Sequence, residues 1–165
     1  MIRFLALLKY LVKFYNKQQV PWVQLIWATY YAHKVPYLSP SKGSFWWKDI
    51  LKLHNKLAEI SFCISGMGDT VGLWLDTIHD QCFADKFPNL FTYALNESIS
   101  LKIALQQPDL LSLFRLPMSR AAHNEFQTFT TDMDSLRTGN DQTDIWVCTW
   151  NGGIYSSSQF YKHHL

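Results

Sequence analysis

Residues 62–76 read Phe62-Cys-Ile-Ser-Gly-Met-Gly-Asp-Thr-Val-Gly-Leu-Trp-Leu-Asp76. The stretch predicts a β-hairpin. Apolar and small residues run to Ile64, Gly66-Met67-Gly68-Asp69 supplies the reversal, and Thr70 to Leu75 returns with Val71 and Leu73 on one face and Trp74 on the other. Glycine reaches the positive φ of a tight reversal without steric cost, and β-branched and aromatic side chains suit a half-buried pleated surface. The stretch carries no catalytic pattern, so its expected contribution is packing, with Trp74 as the anchor.

A second hairpin is predicted near the other end of the chain. Asp144-Ile-Trp-Val-Cys-Thr-Trp150 leads into Asn151-Gly152-Gly153 and then Ile154-Tyr-Ser156, and Asn-Gly between such runs is a strong short-range hairpin signal. Most of the remaining chain reads as helix. Residues 2–15 place Phe4, Leu5, Leu7, Leu8, Leu11, Val12 and Phe14-Tyr15 on a broad apolar face, with Arg3, Lys9, Lys13 and Lys17 around the polar side. Pro21 suits the first turn of a helix over 21–33, where its missing N–H is no loss. Ser44 is placed to cap a helix over 45–59, with Trp46, Ile50, Leu53 and Leu57 inward and Lys48, Lys52 and Lys56 as a basic ridge. Residues 77–98 read as loop and short helices anchored by Phe83, Phe87, Leu90, Phe91 and Leu95. A longer helix over 119–136 should bury Ala122, Phe126, Phe129, Met133 and Leu136, and Ser157 starts a last one. The expected fold is therefore α+β, mostly helical, with two short antiparallel hairpins at about 61–75 and 145–156. Trp46, Trp74, Phe87, Trp146 and Trp150 are its expected structural aromatics.

Composition narrows the function classes. A 48% hydrophobic and 17% charged chain of 165 residues suits a packed globule. The net charge of +2 conceals an asymmetry: residues 1–60 hold nine Lys/Arg against two acids, and residues 61–165 hold six against eleven. This divides the chain into a basic helical arm, 1–60, and a hairpin-plus-helices region, 61–165. A basic, aromatic-rich arm points to a polyanion such as RNA or DNA. Lys9, Lys13, Lys17, Lys34, Lys42, Lys48, Lys52 and Lys56 could track phosphates, with Tyr30, Tyr31 and Tyr37 available to stack on bases. The plainer alternative is a set of basic helices that simply face water.

Cys63, Cys82 and Cys148 are odd in number and far apart, which points to a reducing compartment rather than a disulfide framework. The opening apolar run is broken by Lys9 and Lys13 before any cleavage pattern, and no run of about 18 apolar residues occurs. The expectation is an intracellular protein, cytoplasmic or nuclear, with no membrane partner. Catalytic chemistry is sparse. Asp132 and Asp134 are the nearest pair of aspartates, and i, i+2 spacing on a helix points them apart. Ser156-Ser157-Ser158 near His163 lacks a nucleophile elbow and an orienting acid. Gly66-x-Gly68 lacks the rest of a phosphate loop. His79-x-x-Cys82 is the one short His/Cys pair, too few ligands for structural zinc. No catalytic residue, metal ligand or cofactor is assigned.

The order of these pieces resembles the polyproteins of plant non-LTR (LINE-type) retrotransposons, in the region between the reverse transcriptase polymerase and its zinc-binding module. Leu5-Ala-Leu-Leu-Lys-Tyr-Leu-Val-Lys-Phe-Tyr15 is similar to the helix that follows the polymerase, and Pro21–Ile26 and Gly43–Ile50 to the next two. Gly66–Asp76 resembles the family's "GDGxxxxFWxDxW" stretch, and Phe87-Pro-Asn-Leu-Phe91 its "FPxLF". Asp144–Tyr161 resembles "DxWxWxxxGxFSxxSxY", the entrance to the zinc-binding module. The chain departs from the pattern at Gly66-Met67-Gly68-Asp69, at Gly72, at Cys148 and in lacking a second Trp after Asp76. The resemblance implies a fragment without the polymerase aspartates, which would lie upstream, and without the metal ligands, which would follow Tyr161. It implies a non-catalytic contribution to RNA-templated DNA synthesis, with the polymerase docking on helix 2–15 as one partner. The alternative is a small domesticated nucleic-acid-binding or protein-interaction domain.

Overall fold

The computed structural model describes residues 2–31, 35, 43–137 and 141–164. The chain is α+β and mostly helical: α1 (Ile2–Tyr15), α2 (Pro21–Tyr30), α3 (Phe45–Leu51), α4 (His54–Ile60), β1 (Ser61–Ile64), β2 (Thr77–Ile78), β3 (Gln81–Cys82), α5 (Phe83–Lys86), α6 (Pro88–Phe91), α7 (Leu101–Leu105), a 3-10 turn (Leu110–Leu113), α8 (Arg120–Arg137), β4 (Ile145–Cys148) and α9 (Ser157–His164).

The arm packs around the face of α1 that the apolar spacing marks. Leu8, Leu11, Val12 and Tyr15 repeat at i, i+3, i+4 and i+7, and all are buried together with Phe14. The Phe14 ring stacks on Trp27 at 4.4 Å between centroids and meets Trp47 at the same distance. Buried indoles need a partner for their N–H. Trp27 Nε1 donates to the Phe14 carbonyl at 2.8 Å and Trp47 Nε1 to the Tyr31 hydroxyl at 3.0 Å. Ser44 Oγ accepts the Trp47 amide, so α3 starts on its expected cap. A second aromatic group surrounds Trp74, which stacks on Phe129 of α8 at 5.5 Å with rings 8° from parallel. Phe83, Phe87 and Phe114 each set an edge against Phe129. Ala122, Phe129 and Met133 of α8 are buried and Phe126 and Leu136 pack against the core, as the periodicity requires. Leu95 is an exception and lies exposed. The buried residues on both sides of residue 60 belong to one hydrophobic cluster.

Three sequence expectations are corrected. The helix over 45–59 is two helices. At the junction the Leu53 amide bonds to Ile50 O, a tightened i→i−3 step. The break turns His54 inward, where its Nδ1 sits 3.1 Å from the Tyr15 hydroxyl and its Nε2 3.6 Å from a carboxylate oxygen of Asp76.

The sheet is mixed rather than a pair of antiparallel hairpins, with strand order β3-β2-β1-β4. β1 pairs antiparallel with β4, Ser61 opposite Cys148 and Ile64 opposite Ile145, and parallel with β2 through Cys63 and Ile78. Both edges of β1 are thus occupied, and residues 70–75 do not return along it. Their loop instead wraps a carboxylate. Asp144, 2% exposed, accepts the amides of Gly66 and Gly68 on Oδ1, each at 2.7 Å, and the Thr70 amide and hydroxyl on Oδ2 at 3.0 and 2.8 Å. The Trp146 indole N–H donates to the Thr70 hydroxyl oxygen at 3.0 Å. Glycine is needed here for two reasons. Gly68 has φ +76°, and a Cβ on Gly66 would lie 2.0 Å from the Gln142 carbonyl oxygen.

The second predicted hairpin is only a turn. Gly152 and Gly153 close on Cys148, with Gly152 N–H donating to Cys148 O and Cys148 N–H to Gly153 O, but no strand follows. Tyr155 is buried and, with Phe160, packs against the half-buried Trp150, which draws the segment off the sheet edge.

Asp144→Ala is expected to cost on the order of 3–5 kcal/mol, because it removes a charged acceptor from several buried donors at once. Gly66→Ala should cost a similar amount by pushing Gln142 away. Both act on one junction, so the double variant should lose less than the sum. Urea unfolding of the three variants checks this; a loss under about 1 kcal/mol for Asp144→Ala would show that the junction holds by other means.

Candidate nucleic-acid interface

The basic residues of the arm do not form one continuous track. Lys17 is committed internally: it pairs with Asp69, and its ammonium lies 4.7 Å from the centroid of the Trp27 ring. Lys52 pairs with Asp49 at 2.8 Å and Lys56 with Glu59 at 3.3 Å. These are exposed i, i+3 pairs, worth only a few tenths of a kcal/mol and open to competition by an incoming anion. The break after α3 places Lys48 and Lys56 on different helices, so the expected ridge is divided. Lys9 is exposed, with its ammonium 5.2 Å from the Tyr10 ring, and Lys13 follows one turn later. Lys48 sits 5.9 Å from the ring of Phe45. Lys34, Lys42 and Tyr37 lie outside the described residues.

The stacking candidates also change. Tyr31 is buried and its hydroxyl accepts the Trp47 indole N–H, so its ring is closed to a ligand. Burial pushes its phenol up from the ordinary range. Tyr30 keeps 40% exposure. Trp46 is not the structural residue that its spacing suggests: it is 47% exposed, whereas Trp47 is 1% exposed. The phase of α3 decides this. Because α3 ends at Leu51, its buried face needs only Trp47, Ile50 and Leu51, and Leu53 and Leu57 of the Trp46 series belong to the next helix and its N-cap. Trp74, Phe87 and Trp146 are buried as expected.

The structure brings together aromatics that sequence spacing missed. Tyr10 of α1, Trp22 of α2 and Trp46 of α3 form a triangle on the surface, with centroids 5.6 Å apart for Tyr10–Trp46, 6.0 Å for Trp22–Trp46 and 6.1 Å for Tyr10–Trp22. Phe45, 88% exposed, extends this surface round the start of α3. Beside it runs a groove of about 420 Å³ whose lining includes Phe45, Lys48, Asp49 and Lys52. The available signal was the doubled Trp46-Trp47: adjacent helical residues point about 100° apart, so both cannot be core on one face. A surface of this kind can bind flat π systems and anions.

Other groups with chemical potential are in structural use. His79 Nε2 lies 3.3 Å from Ser65 Oγ, and Cys82 Sγ–H donates to the Trp74 carbonyl at 3.2 Å. Among the described residues, no three of His, Cys, Asp or Glu gather as a metal-ligand set, and no helix is long and apolar enough to cross a membrane. All three cysteines are free thiols. Burial raises each; for Cys63 the nearby Asp144, Asp76 and Asp69 add to it, and Cys148 is pushed up to about 11 by burial.

This gives the fold an alkaline limit. An unfolded-chain thiol ionises near 9.0, while folded Cys148 holds its proton. Its stabilisation is therefore complete below about pH 9 and is lost as pH climbs towards about 11, because the unfolded state binds fewer protons there. Urea unfolding across pH 7–11 should show a steeper fall for the native chain than for Cys148→Ala. Parallel curves would remove Cys148 from the account.

No protein-family model matches the chain, and comparison with curated proteins and with solved structures returns no match.

Proposed function

We propose that this chain is a non-catalytic connecting module of a LINE-type reverse transcriptase polyprotein, and that its basic arm holds nucleic acid. The observation that carries the nucleic-acid reading is the Tyr10–Trp22–Trp46 triangle, with Trp46 exposed, Tyr10 and Trp22 half-buried and Lys9 beside Tyr10, on the basic third of the chain. The ordered motifs of 5–161 support the parent polyprotein. Contacts of this kind neutralise phosphates and release counterions, so binding is salt-dependent and largely indifferent to sequence. The apolar face of α1 from Leu8 to Tyr15 is covered by this chain's own core. This leaves the basic side of that helix for a partner.

A second reading, a protein-docking domain, is favoured by the exposure of Leu25 and Phe45 on the same arm. Fluorescence anisotropy with a labelled 20-nucleotide single-stranded RNA separates the two. The logarithm of affinity should fall linearly with the logarithm of salt. Replacing Lys9, Lys13 and Lys48 by Gln together should reduce that slope by roughly 2, at about 0.7 per phosphate contact. Absent binding, or binding that salt leaves unchanged, would overturn the nucleic-acid reading.

A further inference from the structure

Resting on the nucleic-acid reading above, we propose that the Tyr10–Trp22–Trp46 triangle is a stacking platform for unpaired bases, so that the arm selects single-stranded over duplex nucleic acid. Three features distinguish this surface from a merely exposed apolar spot. First, it is supported from beneath. Trp22 and Trp46 both contact Trp47, at 6.2 and 6.4 Å, and Trp47 is locked in the core by its ring contact with Phe14 and its hydrogen bond to Tyr31. The platform is therefore held in place before any ligand arrives, which lowers the ordering cost of binding.

Second, the rings come from α1, α2 and α3, three helices fixed by one core, and meet edge to face at 67–83°, so half-buried Tyr10 and Trp22 brace Trp46, the ring left 47% open to a base. Every nucleobase has a π face, and stacking on tryptophan or tyrosine is tolerant of sequence. In a duplex that face is covered by the neighbouring base pairs, so the platform gains nothing from paired strands. Third, cation placement fits a single strand. The Lys9 ammonium lies over the Tyr10 ring, 5.2 Å from its centroid, and Lys13 stands one turn along the same helix. The described acid nearest to Trp46 on its own helix is Asp49, one turn on, and Lys52 neutralises it at 2.8 Å. Bases meet rings while phosphates meet ammonium groups.

The test compares a labelled 12-nucleotide oligo-uridine with an RNA hairpin of equal phosphate count, at one salt concentration, against the full chain. The native protein should bind the single strand about tenfold more tightly. Trp46→Ala, at an exposed position, should lose about tenfold on the single strand, the size of one base stack, and change little on the hairpin. Trp46→Phe should recover part of the loss, and Lys9→Gln should weaken both ligands alike. Circular dichroism of each variant establishes that it is folded. Equal binding to both ligands, unaltered by Trp46→Ala, would overturn the platform and leave salt-dependent binding standing. Binding to neither ligand would overturn the underlying nucleic-acid reading and the platform with it. Self-association that Trp46→Ala abolishes, without base-dependent binding, would reassign the triangle to contact between copies of this chain.

Discussion

The Asp144 carboxylate is the interaction on which the arrangement of this chain depends. A carboxylate taken out of water costs several kcal/mol unless hydrogen bonds replace its hydration. Here two glycine amides, a threonine amide and a threonine hydroxyl do so. The exchange is mutual. Loop 65–70 has no strand partner of its own, and Asp144 satisfies amides that would otherwise be buried without an acceptor. Thr70 extends the network by accepting the Trp146 indole N–H, so loop, carboxylate and strand β4 are polarised together. The rest of the sheet follows. With the loop gathered around Asp144, β4 lies in register on β1, and β1 is left to pair on its other side with β2.

The arm is joined to this centre through a different kind of contact. Tyr15, His54 and Asp76 form a buried polar line from α1 through α4 to the loop before β2, and the Asp76 carboxylate also accepts the Gly72 amide at 2.7 Å. Asn16 adds a second tie by accepting the Trp146 amide at 2.9 Å. These polar joints demand specific geometry, which apolar packing alone does not. They set the angle at which the aromatic helices of the arm present their outer face, and so link the sheet to the surface proposed for binding.

Much of the helical structure was legible in the sequence because its signals are local. Apolar spacing placed α1 and α8, Pro21 marked the start of α2, and Ser44 and Ser157 marked helix starts. The sheet was not legible in the same way. The pairing of β1 with β4 joins residues more than 80 positions apart, and no window of sequence contains it. The glycines of 66–68 read as a hairpin turn, but they form a bend whose Gly66 and Gly68 amides are claimed by a side chain beyond residue 140, which overrides the local hairpin preference. The surface site failed for a subtler reason. The segment 45–59 reads as one helix by its apolar spacing, but it breaks after Leu51, so Trp47, Ile50 and Leu51 face the core from α3 while His54 and Leu57 do so from α4. A single unbroken helix would align Trp46 with Leu53 and Leu57, whereas the break frees Trp46 to face outward.

The pairing of β1 with β4 also has a consequence for the order in which this chain is made. Until residues 144–148 leave the ribosome, the residues made before them hold an open β1 edge and a loop whose amides lack their carboxylate, both able to pair with other chains. Non-local closure of this kind is slow compared with helix formation. The helical arm can therefore gather early, while the sheet and the Asp144 junction close last. A ribosome that stalls before Asp144 would release a chain with formed helices and an unprotected strand, the form of this protein most prone to aggregate.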